Sequence, residues 1–237
     1  MSKEKILSAY NALSKNYNAL IEIKPHNAFY DLPNTMSLLP EVKGKKILDA
    51  GCGPGRYAEI LMGNGADVIG VDLSPNMIKE AKKRNKEKGQ FYVHDLCKPF
   101  KMIENGSIDI VLSALVLHSI PDWTDTIREF QRVLKPGGIV IVSMEHPFFD
   151  YKYFKSEKYF DVEHVTCTWK GFGLPVEMHS YRRPLGSCIS PFTENGFYID
   201  KLIEPKPIPE FEHHDPKHWK QLNEFPSFMC LRAKRKL

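Results

Sequence analysis

The chain has 237 residues, 42% of them hydrophobic and 26% charged, with 33 Lys and Arg against 29 Asp and Glu for a net charge of +4. This is the composition of a globular domain large enough to bury a sizeable core, and it excludes a disordered or collagenous chain. A charge this weak does not by itself argue for nucleic acid, and no apolar run reaches the roughly 20 residues that span a bilayer.

The longest apolar run, 108–117, is broken by Asp109 and Ser113, and the opening MSKEKILSAY lacks the uninterrupted apolar centre of a signal peptide. The five cysteines, Cys52, Cys97, Cys167, Cys188 and Cys230, are odd in number and form no C-x-x-C pair, so free thiols are expected. Together these features predict a cytoplasmic protein with no membrane partner.

Residues 1–40 read as helical, interrupted by Pro25, Pro33 and Pro40. Then strands and helices alternate. Strands are expected at 46–50 and 67–72, each ending in or near an acid, and at 91–93, 108–112 and 139–142. Helices are expected from Arg56, from Ser74-Pro75 through to Lys88 with Gly89 as the stop, and over 124–134 before a tight turn at 135–138. Such alternation predicts a doubly wound α/β sheet. The aromatic-rich stretch 145–183 breaks the rhythm and reads as an insertion over the sheet's end. Two more strands, 197–203 and 227–233, are expected around a Pro- and His-rich loop.

The strongest local signal is Asp49-Ala50-Gly51-Cys52-Gly53-Pro54-Gly55, a strand ending in an acid followed by a glycine-rich turn into a helix. Glycine lets a ligand approach the backbone, and the helix N-terminus favours a negative group. A dinucleotide fingerprint would need glycine where Arg56 stands, and no phosphate-loop G-K-S/T is present. Asp72, at the end of the second strand, is suited to accept both hydroxyls of a ribose.

The succession KILDAGCGPG, VIGVDLSPNMI, HDL, FKMIENGSIDIVLSALVLHSI and VLKPGGIVIVS resembles the class I S-adenosylmethionine-dependent methyltransferases. The resemblance implies S-adenosylmethionine as cofactor and a seven-stranded, mostly parallel sheet of order 3-2-1-4-5-7-6 with a helical and aromatic cap. It implies a single domain: a lid at 1–40, a cofactor-binding core at 41–145, a substrate cap at 146–185, and a last helix and antiparallel hairpin at 186–237. It implies that Asp49, Gly51, Cys52, Gly53, Gly55, Ser113 and Leu115 bind the cofactor, with the Ser113 carbonyl or hydroxyl, or Asp49 directly or through water, suited to the methionine ammonium. Asp72 would hold the ribose, Met77 would pack on the adenine and Asp95 would accept from its amino group; Leu73, His94, Leu96 and, from the lid, Tyr17 are further cofactor-binding candidates, His94 suiting a packed neighbour better than a ligand. Met77 suits plain core packing equally well.

The expected reaction is transfer of a methyl group to a small or medium-sized organic acceptor. The alternatives are methylation of RNA or protein, or binding of the cofactor without transfer. No N/D-P-P-Y/F follows the fourth strand and no Pro-Cys occurs, which argues against base amino groups and 5-methylcytosine. His118 and His146 follow strands four and five and are the candidate bases, each also suited to orienting a loop. Trp169, Arg182 and Arg183 are the candidate acceptor contacts in the cap. Pro191 should leave the last helix short or kinked. His213, His214 and His218 read as solvated surface, so no metal is expected.

Overall fold

The computed structural model describes residues 2–86 and 88–237. Helix α1, Ser2–Leu20, leads through a wide helical turn at Asn27–Asp31 into α2, Leu32–Met36. The alternating core follows: β1 Lys46–Ala50, α3 Arg56–Gly63, β2 Asp67–Asp72, α4 Pro75–Arg84, β3 Gln90–Val93, β4 Ile108–Ala114, α5 Thr124–Val133 and β5 Leu134–Glu145. After it come α6 Pro147–Tyr153, the hairpin strands β6 Glu163–Trp169 and β7 Val176–Arg182, and α7 Leu185–Glu194. The chain closes with β8 Phe197–Ile203, α8 Glu210–His214, α9 Pro216–Glu224 and β9 Phe228–Arg235.

Seven strands form one sheet in the order β3-β2-β1-β4-β5-β9-β8, with β6 and β7 paired separately. Counted within the large sheet alone, this is the expected 3-2-1-4-5-7-6. Strands β1 to β5 are parallel, and β9 runs antiparallel to both β5 and β8. The central strands are apolar on both faces because helices cover both. On one face Leu48, Val111, Val140 and Val142 pack with Ile127, Phe130 and Phe192 from α5 and α7. On the other, Ile47, Leu112 and Ile141 pack with Leu38, Ala58, Leu61 and Ile78. Each large side chain so buried contributes about 1.5–3 kcal/mol.

Several local expectations are corrected. Helix α4 ends at Arg84 rather than Lys88, because Asn85 turns its side-chain amide onto the carbonyls of Ala81 and Gly55 and Lys86 takes φ 53°. The turn at 135–138 lies within β5, whose pairing with β4 begins at Leu134, breaks, and resumes at Ile139. Helix α7 continues past Pro191 for ten residues in all. The Pro- and His-rich loop folds into α8 and α9, with the Asp215 carboxylate accepting the His218 N–H at the start of α9. His218 Nδ1 lies 2.6 Å from Asp215 and His214 stacks on Phe29, so these rings serve packing and capping. All five cysteines are free. Among the described residues no helix is long and apolar enough to cross a membrane.

Candidate active site

Parallel strands of an open α/β sheet present their carboxyl ends to a common crevice, and the crevice opens where strand order reverses, here between β1 and β4. The glycine loop after β1 lines it. Gly51, Gly53 and Gly55 all take positive φ, and a side chain on Gly53 would meet only open space. The loop is tied to β2: Gly51 and Cys52 donate their N–H groups to the Val71 carbonyl, and Gly53 donates to Asp72 Oδ2 at 2.9 Å. The Ser74 N–H donates to Asp72 Oδ1 at 2.8 Å. Each Asp72 oxygen therefore has one fixed N–H and spare lone-pair capacity for a hydroxyl donor. Burial raises Asp72 to about 6.

Asp49 is buried on β1. Burial and then Asp72 raise it to about 7, and its Oδ2 has no hydrogen-bond partner. Ser113 Oγ, on β4, is likewise buried without one. Orphaned acceptors of this kind are costly unless a ligand donor fills the gap. Leu115, just beyond, is held at φ 53°, where a non-glycine residue is strained, and its N–H donates to the Ser143 carbonyl.

Beyond β3, Asp95 accepts the Cys97 N–H and pairs with Lys3 of α1. His94 packs against Phe100, its Nε2 3.1 Å from the Lys98 carbonyl oxygen. Leu96 and Met77 are buried, whereas Leu73 is half-buried. Helix α1 lies across this region, with Ser74 Oγ donating to Asn11 and Asn18 donating to Glu80. From the same helix Tyr17 stacks on Phe172 at 4.7 Å, and Tyr10 meets Trp169 edge-on. Trp169 thus joins lid and hairpin in one aromatic cluster.

The ends of β4 and β5 hold a second group. His118 Nδ1 and Glu145 Oε2 are 2.6 Å apart, a charge contact whose angles fall outside hydrogen-bond alignment. Burial would lower His118, but Glu145 raises it net; burial would raise Glu145, but His118 holds it below the ordinary value. Asp150, pushed up to about 8 by burial and then by Glu145, closes the group. With Trp123, Tyr181, Arg183 and Cys188 these residues bound a small cavity with room for about one water molecule. Sequence reading placed Glu145 beside a candidate base but gave it no role, and passed over Asp150 and Trp123. Glu145 ends β5, but Asp150 lies in α6 and Trp123 just before α5, where no local sequence signal marks them.

Two expectations change here. His146 caps α6, its Nδ1 accepting the Phe148 N–H while Nε2 pairs with Glu204, so its ring is committed to the loop. Arg182 is fully buried and directs its donors to Glu163 and to the carbonyls of Lys158, Tyr159 and Asp161, leaving it no reach toward an acceptor. Arg183 does line the cavity. It lies 4.1 Å over the Trp123 ring and donates to the Ile120 carbonyl, while its Nε has no partner. Burial lowers it to about 10.

A doubly wound sheet with an acid-led glycine loop after β1 and a buried carboxylate at the end of β2 has the architecture of a nucleotide-binding α/β protein. Residues 48–142 match the methyltransferase-domain family. A crystal structure from Listeria monocytogenes, assigned as an S-adenosylmethionine-dependent methyltransferase, superposes with a TM-score of 0.76 at 26% identity, covering 87% of this chain and 97% of that one. An uncharacterized protein of Haemophilus influenzae is 26% identical over 98% of this chain and 95% of its own length. Demethylmenaquinone methyltransferase of Lactococcus lactis is 33% identical over 62% of this chain, which spans 61% of that enzyme. The chain belongs to the class I S-adenosylmethionine-dependent methyltransferases. The orphaned Asp49 oxygen and the open space above Gly53 fit that cofactor.

Proposed function

We propose that this enzyme methylates a small or medium-sized organic acceptor, and that His118, supported by Glu145, takes the acceptor's proton. The observation that carries this reading is the 2.6 Å contact between His118 Nδ1 and Glu145 Oε2 at the edge of the cavity. With Nδ1 facing the carboxylate, Nε2 is the nitrogen that receives a proton, and Glu145 stabilises the imidazolium that results.

When bound, the cofactor supplies a methyl carbon activated by positive sulfur. The chain's own residues position it. Asp72 would accept from the ribose hydroxyls, Asp95 from the adenine amino group, and Asp49 with Ser113 from the methionine ammonium. The cap and α1 exclude water, and alignment of acceptor and donor contributes much of the rate, several kcal/mol and up to about 11.

The test is transfer of isotopically labelled methyl from S-adenosylmethionine into a host metabolite extract, with identification of the labelled product. A labelled small molecule supports the reading. Label confined to RNA or protein, or donor binding without any transfer, would replace it with one of the two alternatives.

A further inference from the structure

The segment following β5 exposes aromatic rings without folding them away. Phe160 is 85% exposed, and Phe148 and Tyr153 are each 57% exposed. The rings form connected patches: Tyr159 contacts Phe148, Tyr151 and Phe160, while Tyr153 contacts Phe149 and Phe154. Exposed apolar side chains gathered in this way mark an interaction surface.

Phe160 is held outward by a built support. The fully buried Arg182 donates to the carbonyls on both sides of it, Tyr159 at 3.0 Å and Asp161 at 2.8 Å, and also to Lys158 at 2.9 Å. Glu163 fixes the Arg182 Nε at 2.7 Å, and the Tyr159 hydroxyl accepts the Leu185 N–H. The fold thus spends a buried guanidinium on presenting a phenylalanine to the outside.

Lys152, Lys155 and Lys158 are interleaved with these rings and exposed, and none forms an ion pair among the described residues. Lys152 lies 5.3 Å from the Phe225 ring. Glu157 and Asp161 are the exposed acids of the segment, so the lysines outnumber them. Aromatic rings alternating with long-stemmed cations match the chemistry of a lipid interface, where rings settle at the headgroup boundary and ammonium groups reach phosphate.

We infer that residues 148–160 form a peripheral docking surface for an anionic phospholipid bilayer. This departs from the expectation of no membrane partner, which rested on the absence of a spanning run. Pro147 and Asp150 of α6 border the small cavity beside His118 while Phe148 is exposed, so docking would set that end of the sheet beside the lipid. The inference goes beyond the proposed reaction and does not depend on which acceptor is methylated.

The test is co-sedimentation of the full chain with phosphatidylcholine vesicles, with and without phosphatidylglycerol. Binding is expected with phosphatidylglycerol at low salt, weakening at high salt. Phe160→Ser should lower the partition about tenfold. The combined Lys152→Gln, Lys155→Gln and Lys158→Gln variant should lower it about 100-fold on anionic vesicles. Both variants should keep the wild-type thermal shift on adding S-adenosylmethionine, which shows that they fold. Absence of wild-type sedimentation, or variants that bind like wild type, overturns the inference. So does a lipid-independent self-association abolished by Phe160→Ser, which would assign the patch to a second copy of the chain.

Discussion

A Cβ built on Gly51 would fall 2.3 Å from Cγ2 of Val116, so the glycine loop after β1 and the segment after β4 touch with no space for a side chain. The same glycine has φ 85°, which L-residues avoid. Gly51→Ala therefore combines a clash with backbone strain and should cost about 2–4 kcal/mol of stability. Val116→Ala in the same chain should restore part of the loss in thermal unfolding. If it restores none, the contact is not where the cost arises.

Asp72 supports the glycine loop, and its proposed ribose contact can be tested apart from that support. Asp72→Ala would orphan the N–H groups of Gly53 and Ser74, so the ligand-free protein should lose about 1–3 kcal/mol. Asp72→Asn keeps one acceptor oxygen and should cost less, yet S-adenosylmethionine affinity should fall at least about tenfold in both. Calorimetry and melting curves on the two variants measure these effects separately. An unchanged dissociation constant in Asp72→Asn would place the ribose elsewhere.

The base pair is addressed by Glu145→Gln and His118→Gln. Each should lower kcat by about 100-fold while leaving donor affinity unchanged. Glu145 raises His118, so wild-type activity should climb with pH as His118 loses its proton. Without that carboxylate the imidazole loses its proton more easily, and the acid limb of the rate profile should move to lower pH in Glu145→Gln. A limb that stays in place would mean His118 is not the titrating base.

Stability of the ligand-free protein should fall as pH rises from 7 to 8. Asp49 and Asp150 have folded values raised to about 7 and about 8, while unfolded carboxyls have already released their protons. The folded state then binds more protons than the unfolded chain, and stability declines with pH. His118, also raised, acts in the same direction. His26, lowered to about 4, acts in the opposite direction at lower pH: its contribution grows as pH rises from about 4 to its unfolded 6.5 and is level across 7 to 8, so it does not alter this slope. Asp49→Asn should raise the melting temperature at pH 8 and flatten the slope. A slope unchanged by that substitution would remove Asp49 from the account.

What the sequence determined by itself was the order of the core strands and the glycine turn that follows β1. β1, β2 and β8 begin and end where apolar runs meet glycine, acid or proline, because strand limits of this kind are set by neighbours in the chain. Asp49, the glycines and Asp72 lie within one strand–helix–strand unit, so spacing alone sets them around one turn. The tertiary structure decided the rest, because the deciding partners are distant. Asn85 ends α4 through Gly55, a residue of another element. His118 meets Glu145 because β4 and β5 are neighbours in the sheet. Arg182 and Arg183 are consecutive, yet one pins the 158–161 backbone and the other lies over Trp123 beside the cavity. Successive side chains leaving a strand point to opposite sides, and what waits on each side is supplied by other parts of the chain.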